Sequence, residues 1–551
     1  MKDEFLTITP LGGLEEIGLN CQLWETSKGV VLIDCGIMFP NEQHLGIDVI
    51  IPPIDPILHV KNRLLGVVLT HGHEDHIGAI PWLVCFIPGL KIYGSPFTLA
   101  LVEHKLKERN LLSSAQLIAV TPKTKLNLGN LYFQFISVSH SIPQSYALAV
   151  TTPVGKIIHS GDFKIDPTPS DGIGTDLQSI KEFAGNDGIR LFLSDSTNAD
   201  EQGHNLSEQY IKKNFYEIFS EAKGRIIVTL FASNIERIQT VCDLVKVFNK
   251  KLVVTGRSLI NNIEKAKELG FLNIPYKFFT DQNVPDLSPE QTVIITTGSQ
   301  GEPLSALVRI ISGEHRYLSI HEGDTVIMSS RVLPNSTLAV NRLINRIYRL
   351  GATVCLNGQK AIHVSGHARQ DELKILLTVV NPQYFVPIHG EYRQLFRHKE
   401  LAMQHGIPSE NIFILDDGEP LTLLPTKVRK EKKIPLKSIL IDGKGIGDVD
   451  SSVLRDRQLL GGDGVVVVSL TRDKGTGSVM QGPSILSRGL IFEKKLNCLI
   501  EEAKQVVIEI LQSDLTLTTQ KLEKKICTSL HSFFRNVIGR EPIIIPIITE
   551  N

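Results

Sequence analysis

The chain lacks most of the features that announce a function at a glance. Its seven cysteines (Cys21, Cys35, Cys85, Cys242, Cys355, Cys498 and Cys527) are odd in number, scattered and never spaced as C-x-x-C. That argues against a disulfide framework or a thiolate metal site and for a reducing compartment. Neither charge dominates: 58 basic residues against 59 acidic ones leave a formal net charge of -1. No whole-molecule field draws in nucleic acid, so any polyanion site must be local. No apolar run reaches the roughly 18 residues that a membrane span needs. The opening Met1-Lys2-Asp3-Glu4 is acidic, where a signal peptide is basic and then apolar. The cytoplasm is the expected location, with no membrane partner. Repeats and low-complexity segments are also missing. With 551 residues, 42% hydrophobic and 21% charged, the composition predicts three or four compact globular units.

What the chain has is order. From Phe5 to about Asp195, short β-branched runs such as Val30-Val31-Leu32-Ile33, Gly66-Val67-Val68-Leu69, Lys156-Ile157-Ile158 and Leu191-Phe192-Leu193 end at polar residues. That pattern predicts a layered α/β domain with its site at strand ends. From about 208 to 365, strands alternate with helical stretches, predicting a second α/β unit. A basic stretch between Pro425 and Pro435 reads as a linker. Beyond it, Gly464-Val465-Val466-Val467-Val468 and a helix over about 493–511 suit a small α/β domain.

The chemistry is densest in His71-Gly72-His73-Glu74-Asp75-His76, directly after an apolar strand. Three histidines and an aspartate in six residues make poor core packing, because each buried polar group would need its own partner. At a strand end they can converge. Imidazole and carboxylate donors favour Zn²⁺ or Mn²⁺ in an open, water-bearing site. Asp34, closing its own strand, is placed to orient one ligand.

The pattern H-x-H-x-D-H after a strand resembles the signature of the metallo-β-lactamase fold, and Ser139-His140-Ser141 and Gly161-Asp162-Phe163 resemble its next two motifs. The resemblance implies an αββα sandwich. In it His71, His73 and His140 hold one ion, Asp75, His76 and a last histidine hold the other, and Asp162 sits between them. The candidate for that last histidine, His389 in Pro387-Ile388-His389-Gly390-Glu391, lies 227 residues beyond Asp162. A whole domain is inserted, as in the β-CASP group, whose members act on nucleic acids. Within that group the chain resembles the ribonuclease J family nearly end to end. The match runs through Gly12-Gly13-Leu14-Glu15-Glu16-Ile17-Gly18, Leu193-Ser194-Asp195-Ser196-Thr197-Asn198, Phe231-Ala232-Ser233-Asn234 and Thr297-Gly298-Ser299-Gln300-Gly301-Glu302-Pro303. It continues through His363-Val364-Ser365-Gly366-His367-Ala368 and Ile441-Asp442-Gly443-Lys444-Gly445-Ile446-Gly447-Asp448.

The family implies a metallo-β-lactamase domain in two parts (1–207 and 366–426), a β-CASP α/β domain (208–365), a linker (427–436) and a small C-terminal α/β domain (437–551) that makes a homodimer or homotetramer. It implies a zinc-dependent ribonuclease with two Zn²⁺ per subunit, Mn²⁺ being the alternative. A water activated between the ions attacks phosphorus in line and a 3′ oxygen leaves. The expected action is 5′-to-3′ exonuclease, preferring a 5′-monophosphate, together with endonuclease, in rRNA processing and mRNA decay beside other RNA-decay proteins. Asp75, Asp195 and His367 are the expected catalytic residues, with His367 as general acid oriented by Asp195. Ser233, Asn234 and the run His363, Val364, Ser365, Gly366 and His367 form the expected nucleotide pocket. The Gly46 carbonyl, Asp48 and Asp442 form an expected Ca²⁺ site. The chain departs from the family at Gln144, where Asp is usual, and at Arg369 and Arg331, where small residues are common. None of these is a metal ligand, so they bear on substrate preference. Three other readings stay open: a DNA-directed β-CASP nuclease, separable only by 2′-OH contacts, a small-molecule metallo-hydrolase, and a non-catalytic RNA-processing scaffold.

Overall fold

The computed structural model describes residues 4–41, 43–169, 172–186, 188–302, 305–332, 336–490 and 493–551. Met1 to Asp3 and Pro303, quoted above, lie outside them. The chain divides into two compact units, Met1–Phe39 with Ile50–Ile439 and Pro40–Val49 with Leu440–Asn551.

Two facing sheets, of eight and six strands, build the sandwich of the larger unit, with strands from both sides of the insertion. Successive side chains of a strand point to opposite faces. Along Leu131–Val138, Ser145–Thr152 and Ile189–Asp195, the residues Phe133, Phe135, Leu148, Val150, Leu191 and Leu193 point inward and pack with Ile8, Trp24, Val31 and Ile33 of the other sheet. Ile136, Ala147, Ala149 and Phe192 point outward. They meet Ile180, Leu373, Leu376, Leu377 and Leu401 from the helices Leu177–Ala184, Gln370–Val380 and Tyr392–Gln404. Helix Pro96–Glu108 covers Leu90–Gly94 and Ala115–Ala119 on the eight-stranded sheet. This is an αββα sandwich.

Strand direction positions the site. Gly29–Ile33, Leu64–Val68 and Leu90–Gly94 run parallel in one sheet. Gly155–His159, Ile189–Asp195 and Pro382–Ile388 run parallel in the other. Just past their carboxyl ends stand Asp34, the His71 to His76 turn, Asp162, Ser196 and His389. Asp195 and Ile388 pair directly across neighbouring strands, and the inserted domain leaves and returns between them. That domain is a six-stranded, all-parallel sheet in the order Phe279–Thr280, Lys251–Val254, Thr292–Thr296, Ile226–Thr229, Thr325–Met328, Thr353–Leu356. Ile226–Thr229 and Thr292–Thr296 are buried along their whole length, as a parallel sheet covered on both faces requires.

The stretch read as a linker is only partly free. Val428–Lys430 pairs antiparallel with Leu421–Leu423 as an edge strand, and Glu431 N–H and Ile434 N–H donate to Pro420 O and Gly418 O. Exposed basic residues suit an edge strand as well as a loop, so composition could not separate the two. In the smaller unit, Val465–Arg472 pairs antiparallel with Val479–Arg488 and parallel with Ile543–Glu550. Leu499, Ala503, Val507, Leu522, Ile526 and Leu530, from helices Glu493–Ser513 and Thr519–Ile538, bury one face of that sheet. Among the described residues no helix is long and apolar enough to cross a membrane.

Candidate metal centre

The first ligands ride on a turn held by its neighbours. His73 is in extended backbone and opens the single helical turn Glu74–Ile77. A helix this short cannot satisfy its own carbonyls. Ile37 N–H donates to Glu74 O, Asn20 N–H to Asp75 O and Cys35 N–H to His76 O, at 2.8 to 3.0 Å. Gly36 is required in that loop, since a Cβ there would lie 1.6 Å from Asp75 O. Asp34 (φ 57°) and His389 (φ 53°) both take left-handed backbone, a costly state for non-glycine residues that persists where the surroundings enforce it.

Hydrogen bonds behind each ring decide which nitrogen faces inward. Thr70 Oγ1 donates to Asp34 Oδ2 at 2.8 Å, so it accepts from His71 Nδ1 at 3.0 Å. Gly366 O accepts from His140 Nδ1 at 2.7 Å, Asp34 Oδ2 from His76 Nδ1 at 2.8 Å, and Asp162 Oδ1 from His389 Nδ1 at 2.9 Å. The Nε2 atoms of these four histidines are left to act as ligands. His71 Nε2 and His140 Nε2 lie 3.1 and 3.0 Å from His73 Nδ1; one proton there could satisfy only one of them. His389 Nε2 is buried and lies 3.3 Å from Asp75 Oδ2. Imidazole nitrogens and carboxylate oxygens converging in this way fit a cation. Two groups form, His71, His73, His140 and Asp162, and Asp75, His76, Asp162 and His389, each with ligand atoms within 4.8 Å of one another.

The electrostatics point the same way. Burial pushes His71 and His140 well below the imidazole range and His73 down to about 4, so all three are neutral near pH 7. Burial also opposes charge on His76 and His389, but Asp162 foremost, with Asp75, raises both, His389 to about 10. Asp75 and Asp162 are ionised despite burial, because His76 and His389 hold them far below the carboxylate range. Binding divalent cations would displace those protons.

Asp162, Asp195, His367 and His389 form a third group with ligand atoms within 4.8 Å of one another. His367 Nδ1 is 2.8 Å from Asp195 Oδ2, and Asp195 Oδ1 accepts from Thr197 N and Oγ1 at 3.0 and 2.8 Å. The Ser365-Gly366-His367 turn rests on a metal-site histidine, since a Cβ on Gly366 would lie 2.7 Å from His140 Cε1. Ser365 Oγ accepts from Asn198 Nδ2 at 2.8 Å. Val364 is buried. His363 Nδ1 is buried without a partner, and burial, then Arg237, pushes this ring down to about 3. Asn234 is buried and its Oδ1 caps helix Ile235–Val247 by accepting from Arg237 N–H, so that oxygen is already committed. Ser233 is half-buried in the turn before it.

Several residues with a part here were not legible. Thr70 joins Asp34 to His71, and Asn20 Nδ2 lies 3.1 Å from His76 Nε2. Asn198 and Asn205 both donate to His367 O, at 2.9 and 2.7 Å. Buried Glu372 gathers Ile165 N, Asn205 N and Arg369 N at 2.8 to 3.0 Å. Lys164, two residues past Asp162, is buried beside Glu208, which pairs with buried Arg237 of the inserted domain. Thr70 could have been found by its adjacency to the histidine motif, and Asn198 closes the quoted Asp195 motif without a role having been read for it; the others carry no signal in one dimension. Gln144, a departure from the family, accepts from Phe97 N–H at 3.0 Å and so serves the start of a helix. In the smaller unit, Asp48 accepts from Gly443 N–H, while Asp442 pairs with Arg457, whose Nη1 reaches Leu45 O and crowds Gly46. Of the three residues expected for Ca²⁺, Asp442 and Gly46 thus lie against a guanidinium, while Asp48 holds the Gly443 turn.

A sandwich of two sheets with paired histidine and carboxylate clusters at its strand ends, interrupted by a parallel α/β domain, defines a metal-dependent hydrolase of the metallo-β-lactamase fold. Family models match in sequence order: "Beta-lactamase superfamily domain" over 30–183, "Ribonuclease J, beta-CASP domain" over 223–347, "Zn-dependent metallo-hydrolase RNA specificity domain" over 357–415 and "Ribonuclease J C-terminal domain" over 452–551. The chain belongs to the ribonuclease J family. It is 39% identical to ribonuclease J 1 of Streptococcus pyogenes, over 100% of this chain and 98% of that protein. With ribonuclease J of Thermus thermophilus it shares 36% identity over 99% and 96% of the two chains. A crystal structure of a protein of unknown function from Enterococcus faecalis shares the fold, with a TM-score of 0.56 at 14% identity, covering 76% of this chain and all of that one.

Proposed function

We propose that this metal-dependent ribonuclease cuts RNA by attack of an activated water on phosphorus, releasing a 3′ hydroxyl, and that it works both 5′-to-3′ from a monophosphate end and internally. The observation that carries this is the sharing of Asp162. One buried carboxylate belongs at once to both metal-ligand groups and to the Asp195–His367 group, so water activation and leaving-group protonation would meet at one phosphodiester.

Bound at the two groups, a pair of divalent ions, Zn²⁺ by donor type with Mn²⁺ as the alternative, would lower the pKa of a shared water and neutralise the phosphate. Everything else falls to the chain. Burial disfavours a charged His367, but Asp195, held by Thr197, raises its pKa. With Nδ1–H directed at Asp195, the second proton sits at Nε2 and can pass to the departing 3′ oxygen. Ser365 Oγ and the backbone of the Gly366 turn are fixed by Asn198 and His140, which suits them to orient phosphate oxygens. Each cut leaves a new 5′-phosphate on the remaining RNA, the end this pocket takes next.

The smaller unit supports self-association into a dimer or tetramer. One sheet face is buried by helices, while Leu486, Ile545 and Ile547 are 57%, 43% and 48% exposed. The test of the cleavage reading is a timed digestion of one RNA carrying a 5′-monophosphate or a 5′-triphosphate, with Zn²⁺ and Mn²⁺ compared. Mononucleotides released early and faster from the monophosphate RNA are expected. Release only from the 3′ end, or equal cutting of a DNA of the same sequence, would contradict the reading.

A further inference from the structure

Two arginines stand beside the Ser365-Gly366-His367 turn and share one carboxylate. Arg331 Nη1 lies 2.8 Å from Glu201 Oε1, and Arg369 Nη2 lies 2.9 Å from Glu201 Oε2. Arg331 Nη1 also donates to Asn198 Oδ1 at 2.8 Å, and the amide nitrogen of that buried Asn198 donates to Ser365 Oγ and to His367 O. The group is anchored through backbone as well: Glu201 N–H donates to Asn198 O, and Gln370 N–H to Glu201 O. Both side chains stay partly open to solvent, 46% and 37% exposed, although Arg369 Nε is buried.

One carboxylate neutralises only one of two permanently charged guanidinium groups, so a positive charge is left over within reach of the turn. A terminal phosphate monoester carries up to about one negative charge more than a phosphodiester near pH 7. That surplus matches. We infer that Arg331 and Arg369, clasped by Glu201, read the charge of the RNA 5′ end and so set how strongly this chain prefers a 5′-phosphate. Asn198 couples the clasp to the turn that holds the end nucleotide. This rests on the 5′-end reading proposed above and assigns it residues of its own.

The test compares kcat/KM on one RNA sequence bearing a 5′-hydroxyl, a 5′-monophosphate or a 5′-triphosphate, and on a circular RNA without an end. Losing a charge-assisted hydrogen bond should lower the ratio of monophosphate to hydroxyl activity about tenfold or more in Arg331→Ala and in Arg369→Ala. Glu201→Gln releases both guanidinium groups and should raise that ratio by about threefold. A gain of this kind cannot come from misfolding. If the arginine variants slow all four RNAs by one factor, the arginines follow the RNA backbone and the inference is overturned. An unchanged ratio in correctly folded variants overturns it as well. A wild-type ratio near one would overturn the 5′-end reading together with it, whereas a high wild-type ratio that none of the variants moves would sink this inference alone.

Discussion

At the residue scale, the site is a set of imidazole rings fixed from behind. The candidate ligands could be read from the sequence because His71, His73, Asp75 and His76 fall in one short stretch that no apolar core could accept. What fixes them could be read only in part: Asp34 stood out at its strand end, while Thr70 and Asn20 act only once distant strands converge. Asp34 is the clearest such partner. It receives Thr70 N–H, Thr70 Oγ1–H and His76 Nδ1–H, so Asp34→Asn should weaken metal binding roughly 10- to 100-fold, measured by competition with a chromophoric chelator. A wild-type affinity would remove Asp34 from the account. His367→Ala should lower kcat by about 100-fold or more while metal content, measured by mass spectrometry, stays at the wild-type level. Loss of metal along with activity would reassign His367 as a ligand.

At the scale of elements, parallel strands bring their carboxyl ends together, and loops of little sequence character lock the result. The alternation of strand and helix was legible from hydrophobic period. The edge strand Val428–Lys430 was not, because backbone pairing leaves no mark on a charged, exposed segment. The loop of Asp416-Asp417-Gly418 carries a further consequence. Burial first, and Glu16 second, push Asp417 up to about 8, and burial pushes Glu16 to about 6. A carboxyl raised in the folded state contributes stability that is complete below its unfolded value and is lost as pH rises through the folded one. The stability owed to Asp417 should therefore decline from about pH 4 through about pH 8. Asp417→Asn should melt with the wild type near pH 4 and a few degrees above it at pH 9. Parallel melting curves at every pH would show that Asp417 ionises normally.

At the scale of the whole molecule, a chain of formal net charge -1 exerts no strong overall pull on a polyanion, so the cleavage proposed above would rely on bound cations and a few placed arginines. The insertion was legible from the family resemblance, because the expected last histidine, His389, lies 227 positions beyond Asp162. The proposed assembly rests on a weaker trace, three exposed apolar side chains, Leu486, Ile545 and Ile547, on one sheet face of the smaller unit. Leu486→Lys with Ile545→Lys should shift the sedimenting species to the monomer, whereas an unchanged oligomer would place the interface elsewhere. The most direct test of the central claim is RNA cleavage by chelator-stripped protein as Zn²⁺ or Mn²⁺ is titrated back. The account predicts no cleavage without metal and a plateau near two equivalents per chain; full activity after stripping, or a plateau at one equivalent, would contradict a site in which Asp162 serves two ions.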